Sequence, residues 1–442
     1  MTQHNNVSLG VGATIADFQN VSGKDIVARV EPYRSWVSAL RDEKLWPFLR
    51  VHHGAIDRRC HIVDENGRET SGLSYGSQDY LGLSHHPAVI EAAIAALHQY
   101  GAHSSGSGPM GGGFKIAEDL AAELGAFLKC SHVLLFPTGW AAGYGVIRAL
   151  LRPNDYIVID TLAHNCLQHG AAAATKNIIP FAHNNVEDLR KRLQRLRRRD
   201  ADNAVLVVTE GLFSMDSDTP DLRSIVSACR EYGAFLMVDV AHDLGVLGEG
   251  GGGALSEQGL LGQVDIVMGS FSKTFASIGG FLATNHPGLF EYVRAFSGSY
   301  TFSNFLIPAQ VAAVRAALNI VVSREGDRLR EKARVNYNYL RDRFIDRDLS
   351  IIGRPSPIVL TMVGQEMIGR TALSLLFTRG VVMNLVEYPG VRKGEARFRL
   401  QVTPNHTEND AVCVAAAVAE AISDATQIVE KRREEWKSEL KA

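Results

Sequence analysis

The chain has 442 residues, a formal net charge of −2, and 46% hydrophobic and 21% charged residues. This length exceeds that of a single domain core and predicts one large and one smaller domain. The near-neutral charge gives no electrostatic reason to expect a nucleic acid or an anionic membrane as partner.

The cysteines and the first residues indicate a compartment. Five cysteines show neither CxxC nor metal-ligand spacing, so we expect reduced, mostly buried thiols and no metal site. Residues 1–20 are polar and lack the apolar core of a signal peptide,. No apolar run reaches the roughly 20 residues that span a bilayer. We therefore expect a soluble, cytoplasmic protein without a membrane span.

Composition and periodicity divide the chain into three expected segments. Residues 1–70 hold an N-terminal arm, a short helix and a hairpin whose turn is Asn66 and Gly67,. Residues 71–310 alternate strands with helices, which predicts a large domain with a mostly parallel sheet covered by helices. Residues 311–442 predict a smaller C-terminal α+β domain. The expected fold class is α/β.

The elements follow from apolar periodicity and turn residues. Strands are predicted at 132–136, 156–160, 204–209, 235–240, 266–268, 350–363, 381–384 and 397–402. Helices are predicted at 87–100, 115–128, 141–151, 166–174, 186–197, 221–232, 309–322, 325–348, 370–379 and 408–430. The glycines at 250–253 predict a flexible loop.

One lysine, Lys273, follows a short apolar strand and precedes a Gly–Gly pair, among the hydroxyl residues Ser270, Ser272 and Thr274. Desolvation in such a place lowers the pKa of an amine and makes it a nucleophile toward carbonyls. Hydroxyls and turn amides beside it suit a phosphate. Together these features indicate a Schiff-base lysine that carries pyridoxal phosphate (PLP). The alternative is a surface lysine whose stem covers a strand end.

Polar side chains also follow other strands. Asp239 ends an apolar strand, His242 comes three residues later, and His164 follows the strand that ends at Asp160. Sites in open α/β sheets form at the carboxyl ends of strands, and a buried carboxylate suits a protonated pyridine nitrogen. Asp239 could equally be a helix cap, and His164 a core histidine. The turn at Thr138, before a helix, is a plausible phosphate site.

Ten short motifs, taken in order, resemble the α-oxoamine synthases, a PLP-dependent family with the aspartate-aminotransferase (type I) fold. The resemblance runs from about residue 79 to residue 407. The motifs are 79–83 (DYLGL), 105–108 (SGSG), Asp160 with His164, 210–216 (EGLFSMD), Asp239 with His242, 270–273 (SFSK), 302–304 (FSN), 388–389 (YP), 396–399 (ARFR) and 406–407 (HT).

The resemblance implies a role for each candidate residue. Lys273 holds PLP as a Schiff base and later serves as acid and base, Asp239 pairs with the pyridine nitrogen, and His164 stacks on the ring. The cofactor's phenolic oxygen is flanked by His242 and Ser214. Its phosphate is held by Thr138, Gly139, Trp140 and Ser270, with Ser303 or Asn304 reaching in from a partner subunit of a homodimer. The amino-acid carboxylate is bound by Arg399, with Gln78 beside it.

Four positions depart from the family pattern. Gln78 stands where asparagine is usual, Gly143 and Ala117 replace the commoner asparagine and histidine, and Asp243 follows His242 where a small residue is preferred. Because the cofactor residues are present, these departures bear on substrate identity. They favour a specialised biosynthetic enzyme.

The predicted reaction is the decarboxylative condensation of an amino acid with an acyl thioester, on coenzyme A or a carrier protein, to give an α-aminoketone. The alternatives are an aminotransferase or an aldolase-type C–C lyase on the same fold. A non-catalytic binding role is disfavoured because Lys273 is present and no helix-turn-helix segment precedes the domain.

Overall fold

The computed structural model describes residues Gly12–Glu439, with side chains described through Glu435. The chain forms two compact units. Unit 1 comprises Met1–Ser77, Met215–Ser217 and Arg334–Ala442, and unit 2 comprises Gln78–Ser214 and Asp218–Ala333. This division differs from the expected segments 1–70, 71–310 and 311–442, because the N-terminal segment joins the C-terminal one and the boundary expected at 310 lies after Ala333.

The strands are β1 Val51–His52, β2 Arg59–Val63, β3 Glu69–Ser74, β4 His132–Phe136, β5 Tyr156–Asp160, β6 Asn177–Phe181, β7 Val205–Glu210, β8 Phe235–Asp239, β9 Ile266–Ser270, β10 Gly280–Thr284, β11 Ile351–Ile352, β12 Ile358–Gly364, β13 Val381–Val382, β14 Asn384–Val386 and β15 Ala396–Gln401. The helices are α1 Ile26–Asp42, α2 Pro87–Tyr100, α3 Lys115–Leu128, α4 Gly139–Leu150, α5 Asn165–Ala174, α6 Val186–Arg199, α7 Leu222–Glu231, α8 Gly253–Glu257, α9 Pro287–Phe296, α10 Gly298–Thr301, α11 Pro308–Val321, α12 Arg324–Ile345, α13 Glu366–Thr378 and α14 Glu408–Glu439.

Unit 2 is built on a seven-stranded sheet in the order β4-β10-β9-β8-β7-β5-β6. All its strands are parallel except β10, which pairs antiparallel with both neighbours. Every residue of β7, β9 and β10 is buried, as expected for strands that are covered on both faces. The predicted α/β type I fold is confirmed. Two strands of this sheet were not predicted: β6 is an edge strand that contains Pro180, and β10 begins at a glycine,.

Unit 1 joins distant parts of the chain through a four-stranded sheet in the order β1-β2-β3-β13. The predicted hairpin is confirmed as the antiparallel pair of β2 and β3. Strand β13 pairs parallel with β3, in the register Val381 with Leu73. Gly72 permits this approach, since a Cβ there would lie 1.8 Å from the Gly380 carbonyl oxygen,. This pairing is why the N-terminal segment is part of unit 1.

The core of unit 1 lies between a second sheet, in the order β11-β12-β15-β14, and the helices α13 and α14. Helix α14 is long and apolar enough over Glu408–Glu435, by length and composition, to cross a membrane. No such stretch was expected from the sequence. Residues Val414, Val418, Ala421 and Ala425 of α14 are buried in the core, so we interpret α14 as a core helix.

The first turns of α12 belong to unit 2 because Arg330 is anchored there. Its guanidinium donates hydrogen bonds to the carbonyl oxygens of Val321, at 2.8 Å, and Gly245, at 3.3 Å.

The glycines at 250–253 are not the expected flexible loop. Gly251 and Gly253 are buried, and the Gly253 N–H donates to the Leu247 carbonyl oxygen at 2.8 Å.

A charged cluster fixes the end of β5. His183 Nδ1 lies 2.9 Å from Asp160 Oδ1, and His183 Nε2 lies 3.0 Å from Asp218 Oδ2. Asp160 is fully buried, and the His183 ring packs edge-on against Phe213. Burial alone would lower the pKa of His183, but the hydrogen bonds and charges of the two carboxylates outweigh it and raise the pKa to about 10,.

We expect this cluster to make the stability depend on alkaline pH. The pKa of His183 is raised above its unfolded value of about 6.5, so its contribution is complete below that pH and is lost as pH rises through about 10. The loss should be on the order of 2–3 kcal/mol in the free energy of unfolding. Denaturant titrations between pH 6 and pH 10.5 should show that the difference in the free energy of unfolding between wild type and His183→Gln shrinks as the pH rises. A pH-independent difference would contradict this assignment.

Candidate active site

A cavity of about 290 Å³ opens in unit 2 beside the carboxyl ends of β8 and β9. It brings together eight of the residues predicted from sequence: Thr138, Gly139, Trp140, His164, Asp239, His242, Ser270 and Lys273. Its other lining residues are Cys166, Glu210, Ala241, Met268, Ser272, Ile278 and Gly279. Sequence-distant polar side chains therefore converge at the edge of the sheet where ligands of α/β proteins bind.

One wall of the cavity is the N-terminus of α4. Thr138 caps the helix, since its Oγ1 accepts a hydrogen bond from the Ala141 N–H at 3.0 Å,. A Cβ on Gly139 would lie 2.5 Å from Ser270 Oγ, so only glycine permits this approach of the helix to β9. Ser270 Oγ also lies 2.7 Å from Ser272 Oγ. Helix N–H groups and paired hydroxyls form a donor set that suits a phosphate.

Asp239 ends β8 and is 5% exposed. Its Oδ1 accepts the Ala241 N–H at 2.9 Å. Burial raises its pKa, while the charges of His164 and Lys273 act in the opposite direction. The helix-cap interpretation is wrong, because residues 241–246 form turns and the next α-helix begins at Gly253. A buried carboxylate in a cavity wall fits a cationic ring nitrogen.

His164 precedes α5 and caps it. Its Nδ1 lies 3.3 Å from the Cys166 N–H nitrogen and 3.1 Å from Cys166 Sγ. The ring is reached by solvent and is not a core histidine. Desolvation by the cavity walls lowers the pKa of His164, Asp239 opposes the shift, and the charge of Lys273 adds to it.

Glu210 was quoted in a sequence motif without a role, and the structure places it in the cavity wall. Its Oε1 accepts the His164 N–H at 2.6 Å. It pairs in register with Asp239 on the neighbouring strand, so both carboxyl groups lie at one edge of the sheet. Burial raises the pKa of Glu210 well above its usual range, and Asp239 raises it further. The signal that could have found it is its position at the end of an apolar strand.

His242 follows Asp239 and is also held in place. Its Nδ1 lies 2.8 Å from the hydroxyl oxygen of Tyr80, a fully buried residue of the motif at 79–83. Gln78 is half-buried, and its carbonyl oxygen accepts the Tyr80 N–H at 2.9 Å. Gln78 therefore lies two residues from a cavity partner but does not itself line the cavity.

Three other predicted cofactor residues do not line this cavity: Ser214, Ser303 and Asn304. Ser214 is buried beyond the end of β7. Asn304 is exposed, and its Nδ2 lies 3.4 Å from His103 Nε2.

Arg399 belongs to unit 1, where it lines a second cavity of about 320 Å³ with Met215, Asn384 and Tyr388. Its Nη1 donates to Met215 Sδ at 3.5 Å. Arg397 shares its face of β15 and is not a solvated surface residue, since it is 3% exposed and donates to Asp216 Oδ1 at 2.8 Å.

Two departures from the family pattern have packing consequences. A Cβ on Gly143 would lie 2.5 Å from Cys166 Sγ and 2.9 Å from Met268 Cε, so a larger residue there would require these side chains to shift. Asp243 is fully buried, and its Oδ2 accepts the Ala254 N–H at 2.7 Å. Burial raises the pKa of Asp243 to about 7. Asp243 thereby fixes the glycine turn.

Comparisons with known proteins show the family to which this chain belongs. Residues 71–418 match the family model described as aminotransferase class I and II. The serine palmitoyltransferase of Sphingobacterium spiritivorum is 36% identical over 371 residues, covering 84% of this chain and 90% of that protein. The 8-amino-7-oxononanoate synthase of Thermoanaerobacter pseudethanolicus is 34% identical over 349 residues, covering 79% of this chain and 86% of that protein. A solved structure of SPT with a PLP internal aldimine has a TM-score of 0.85 and 28% identity, covering 91% of this chain and 100% of that one.

Proposed function

Because this chain belongs to the aminotransferase class I and II family and is an α-oxoamine synthase within it, we propose that it condenses an α-amino acid with an acyl thioester, with loss of carbon dioxide. The observation that carries the proposal is the convergence of Lys273, Asp239 and the α4 N-terminus on one cavity. The product is an α-aminoketone. Acyl groups on coenzyme A and on a carrier protein are both compatible with the proposal, as is a cytoplasmic, specialised biosynthetic enzyme.

The residues of the cavity fit PLP, which supplies an electron sink for the carbanion formed at the substrate Cα. We assign the α4 N-terminus, Thr138 and Ser270 to its phosphate, since they supply N–H and hydroxyl donors. Asp239 would place its carboxylate against the ring nitrogen and favour the protonated form of that nitrogen. His164 would stack on the ring, and Glu210 fixes the backbone of His164.

The side chains of this chain carry out the proton transfers of the reaction. The Lys273 amine would hold the cofactor through its carbonyl group and would also serve as the base that takes the proton from the substrate Cα. The Nδ1 atom of His242 lies 2.8 Å from the Tyr80 hydroxyl oxygen, which orients the ring in the cavity wall. By the family resemblance we assign His242 and Ser214 to the cofactor's phenolic oxygen. The substrate Cα forms a bond to the thioester carbonyl carbon as the free thiol leaves, and the carboxylate leaves as carbon dioxide. A proton returned from Lys273 to Cα completes the α-aminoketone.

The test is turnover by the purified protein with each amino acid, with and without an acyl thioester. We expect release of carbon dioxide and of the free thiol only when both substrates are present. Turnover of the amino acid alone indicates a lyase, and turnover with a keto acid in place of the thioester indicates an aminotransferase. Either result would overturn the proposal.

We also propose a homodimer in which Ser303 and Asn304 reach the partner's phosphate site. The segment that carries them packs on the glycine-rich loop at 105–112, where the Phe305 N–H donates to the Gly106 carbonyl oxygen at 2.9 Å. Phe302 is 92% exposed and Met110 is 79% exposed. Large apolar side chains so exposed are typical of a protein interface.

The dimer predicts complementation between two inactive variants. Lys273→Ala and a Ser303→Ala/Asn304→Ala double variant, refolded together, should regain about a quarter of wild-type activity, because half of the dimers are mixed and each mixed dimer has one intact site. Each variant refolded alone is the control. A monomer by light scattering, or mixtures as inactive as the controls, would contradict shared sites.

Arg399 is proposed to bind the amino-acid carboxylate. A planar guanidinium can bind a carboxylate through two parallel hydrogen bonds, and lysine cannot. Arg399→Lys should therefore lower kcat/KM for the amino acid. The expected loss of transition-state stabilisation is about 2–4 kcal/mol, by analogy with truncating a buried charge pair. Arg397→Lys is the matched control, since Arg397 lies on the same face of β15 and already pairs with Asp216. If Arg399→Lys still prefers the amino acid to its amide as wild type does, the carboxylate is held elsewhere.

A further inference from the structure

Arg50 is a desolvated cation without an acidic partner. It precedes β1, and its Nη1 donates to the Met383 carbonyl oxygen at 3.1 Å. Its guanidinium carbon lies 5.5 Å from the centre of the Phe377 ring. Within the described side chains, residues 12–435, no carboxylate lies within 4 Å of it. Backbone and aromatic contacts thus replace the ion pair that a desolvated arginine usually has.

Arg68 shows the usual arrangement at the same aromatic ring. Its guanidinium carbon lies 5.2 Å from the Phe377 ring centre, and its Nε donates to Asp64 Oδ2 at 2.6 Å. Burial, together with the charge of Arg68, lowers the pKa of Arg50 to about 10, with partial opposition from Asp64 and Cys60. An added anion would stabilise the charged form of Arg50.

Arg50 lines a cavity of about 230 Å³, together with His52, Ser74 and Asn384. Guanidinium, imidazole, hydroxyl and amide groups can all donate hydrogen bonds to an anion. This cavity shares Pro47, Phe48 and Asn384 with the 320 Å³ cavity that contains Arg399. Unit 1 therefore has two adjoining cavities with a common partly apolar wall and an arginine in each.

We propose that Arg50 binds an anionic group of the acyl thioester, either a phosphate of its carrier or a carboxylate at the far end of its acyl chain. This inference rests on the proposed function. Because Arg399 is assigned to the one carboxylate of the amino acid, an anion at Arg50 would belong to the other substrate. The acyl donor is the other substrate of the condensation. Pro47 and Phe48 in the shared wall suit its apolar portion.

Kinetics with three thioesters test the proposal and distinguish the two sources of the anion. The substrates are the coenzyme A ester of a fatty acid, the N-acetylcysteamine ester of the same acid, and the N-acetylcysteamine ester of the matching dicarboxylic acid. Arg50→Gln should raise KM about tenfold or more for the anionic donor and leave KM for the amino acid unchanged. An increase in KM that is confined to the coenzyme A ester identifies a phosphate as the bound anion. An increase that is confined to the dicarboxylic ester identifies a carboxylate.

Arg59→Gln is the matched control, since it removes an exposed arginine from the same sheet. Arg50→Lys keeps the charge but loses the planar guanidinium, so its KM for the anionic donor should lie between those of wild type and Arg50→Gln. Thermal unfolding checks that the variants fold. Equal KM changes for all three thioesters, or none, would overturn the proposal.

Direct binding separates this inference from the proposed function. Calorimetry with coenzyme A and with glutarate, at fixed ionic strength, should show weaker binding of one of them to Arg50→Gln than to wild type. If no thioester is turned over but this difference persists, the proposed function is wrong and the anion site stands. If neither probe distinguishes the variant, the anion site is wrong.

Discussion

Replacing Lys273 with alanine should lower kcat by about 10³-fold or more, because one amine both binds the cofactor carbonyl and moves the Cα proton. Lys273 follows β9 and lines the cavity that Asp239 and His164 also line. The wild-type protein should be yellow, and borohydride reduction should fix the cofactor covalently to Lys273. Peptide mapping after reduction measures this attachment without any turnover.

Lys176→Ala is the control for this experiment, since Lys176 is an exposed lysine of the same unit. It should remain yellow and active. Labelling of another lysine in the reduced wild type, or a Lys273→Ala variant with near-normal turnover, would show that the Schiff-base lysine lies elsewhere.

The sequence predicted much of the cavity because its residues occupy positions with a strong local signal. Parallel strands end at one edge of a sheet, so charged or hydroxyl residues directly after apolar runs, such as Asp239 and Ser270, are expected to meet there. Thr138 could be placed for a similar reason, because a strand–turn–helix pattern indicates a helix N-terminus. The family resemblance added the individual roles, which remain predictions.

Other features depend on contacts between distant segments, which no local pattern carries. The pairing of β3 with β13 joins residues about 310 positions apart and decides the composition of unit 1. Arg397 shows no local difference from a surface arginine, yet its partner Asp216 lies on a loop 181 residues earlier. The glycines at 250–253 suggest flexibility until the buried carboxyl of Asp243 is seen to hold the turn.

Asp239→Asn should separate a cofactor role from a structural one. Asparagine can still accept the Ala241 N–H through its side-chain oxygen, so we expect the fold and thermal stability to be kept. It cannot place a negative charge opposite the ring nitrogen. We therefore expect kcat to fall by about 10²–10³-fold, the usual effect of losing one electrostatic group from an active site. The absorbance spectrum and Kd of bound PLP should also change, which gives a readout besides activity.

Asp243→Asn is the matched control for this charge. Asp239 and Asp243 are both buried, and each accepts a backbone N–H, but only Asp239 lines the cavity. A merely structural role for Asp239 predicts that the two variants behave alike. A cofactor role predicts that Asp243→Asn keeps wild-type turnover and PLP affinity while Asp239→Asn loses both. Near-normal kcat in Asp239→Asn would mean that its carboxylate only supports the turn, and that the charge opposite the ring nitrogen comes from another residue.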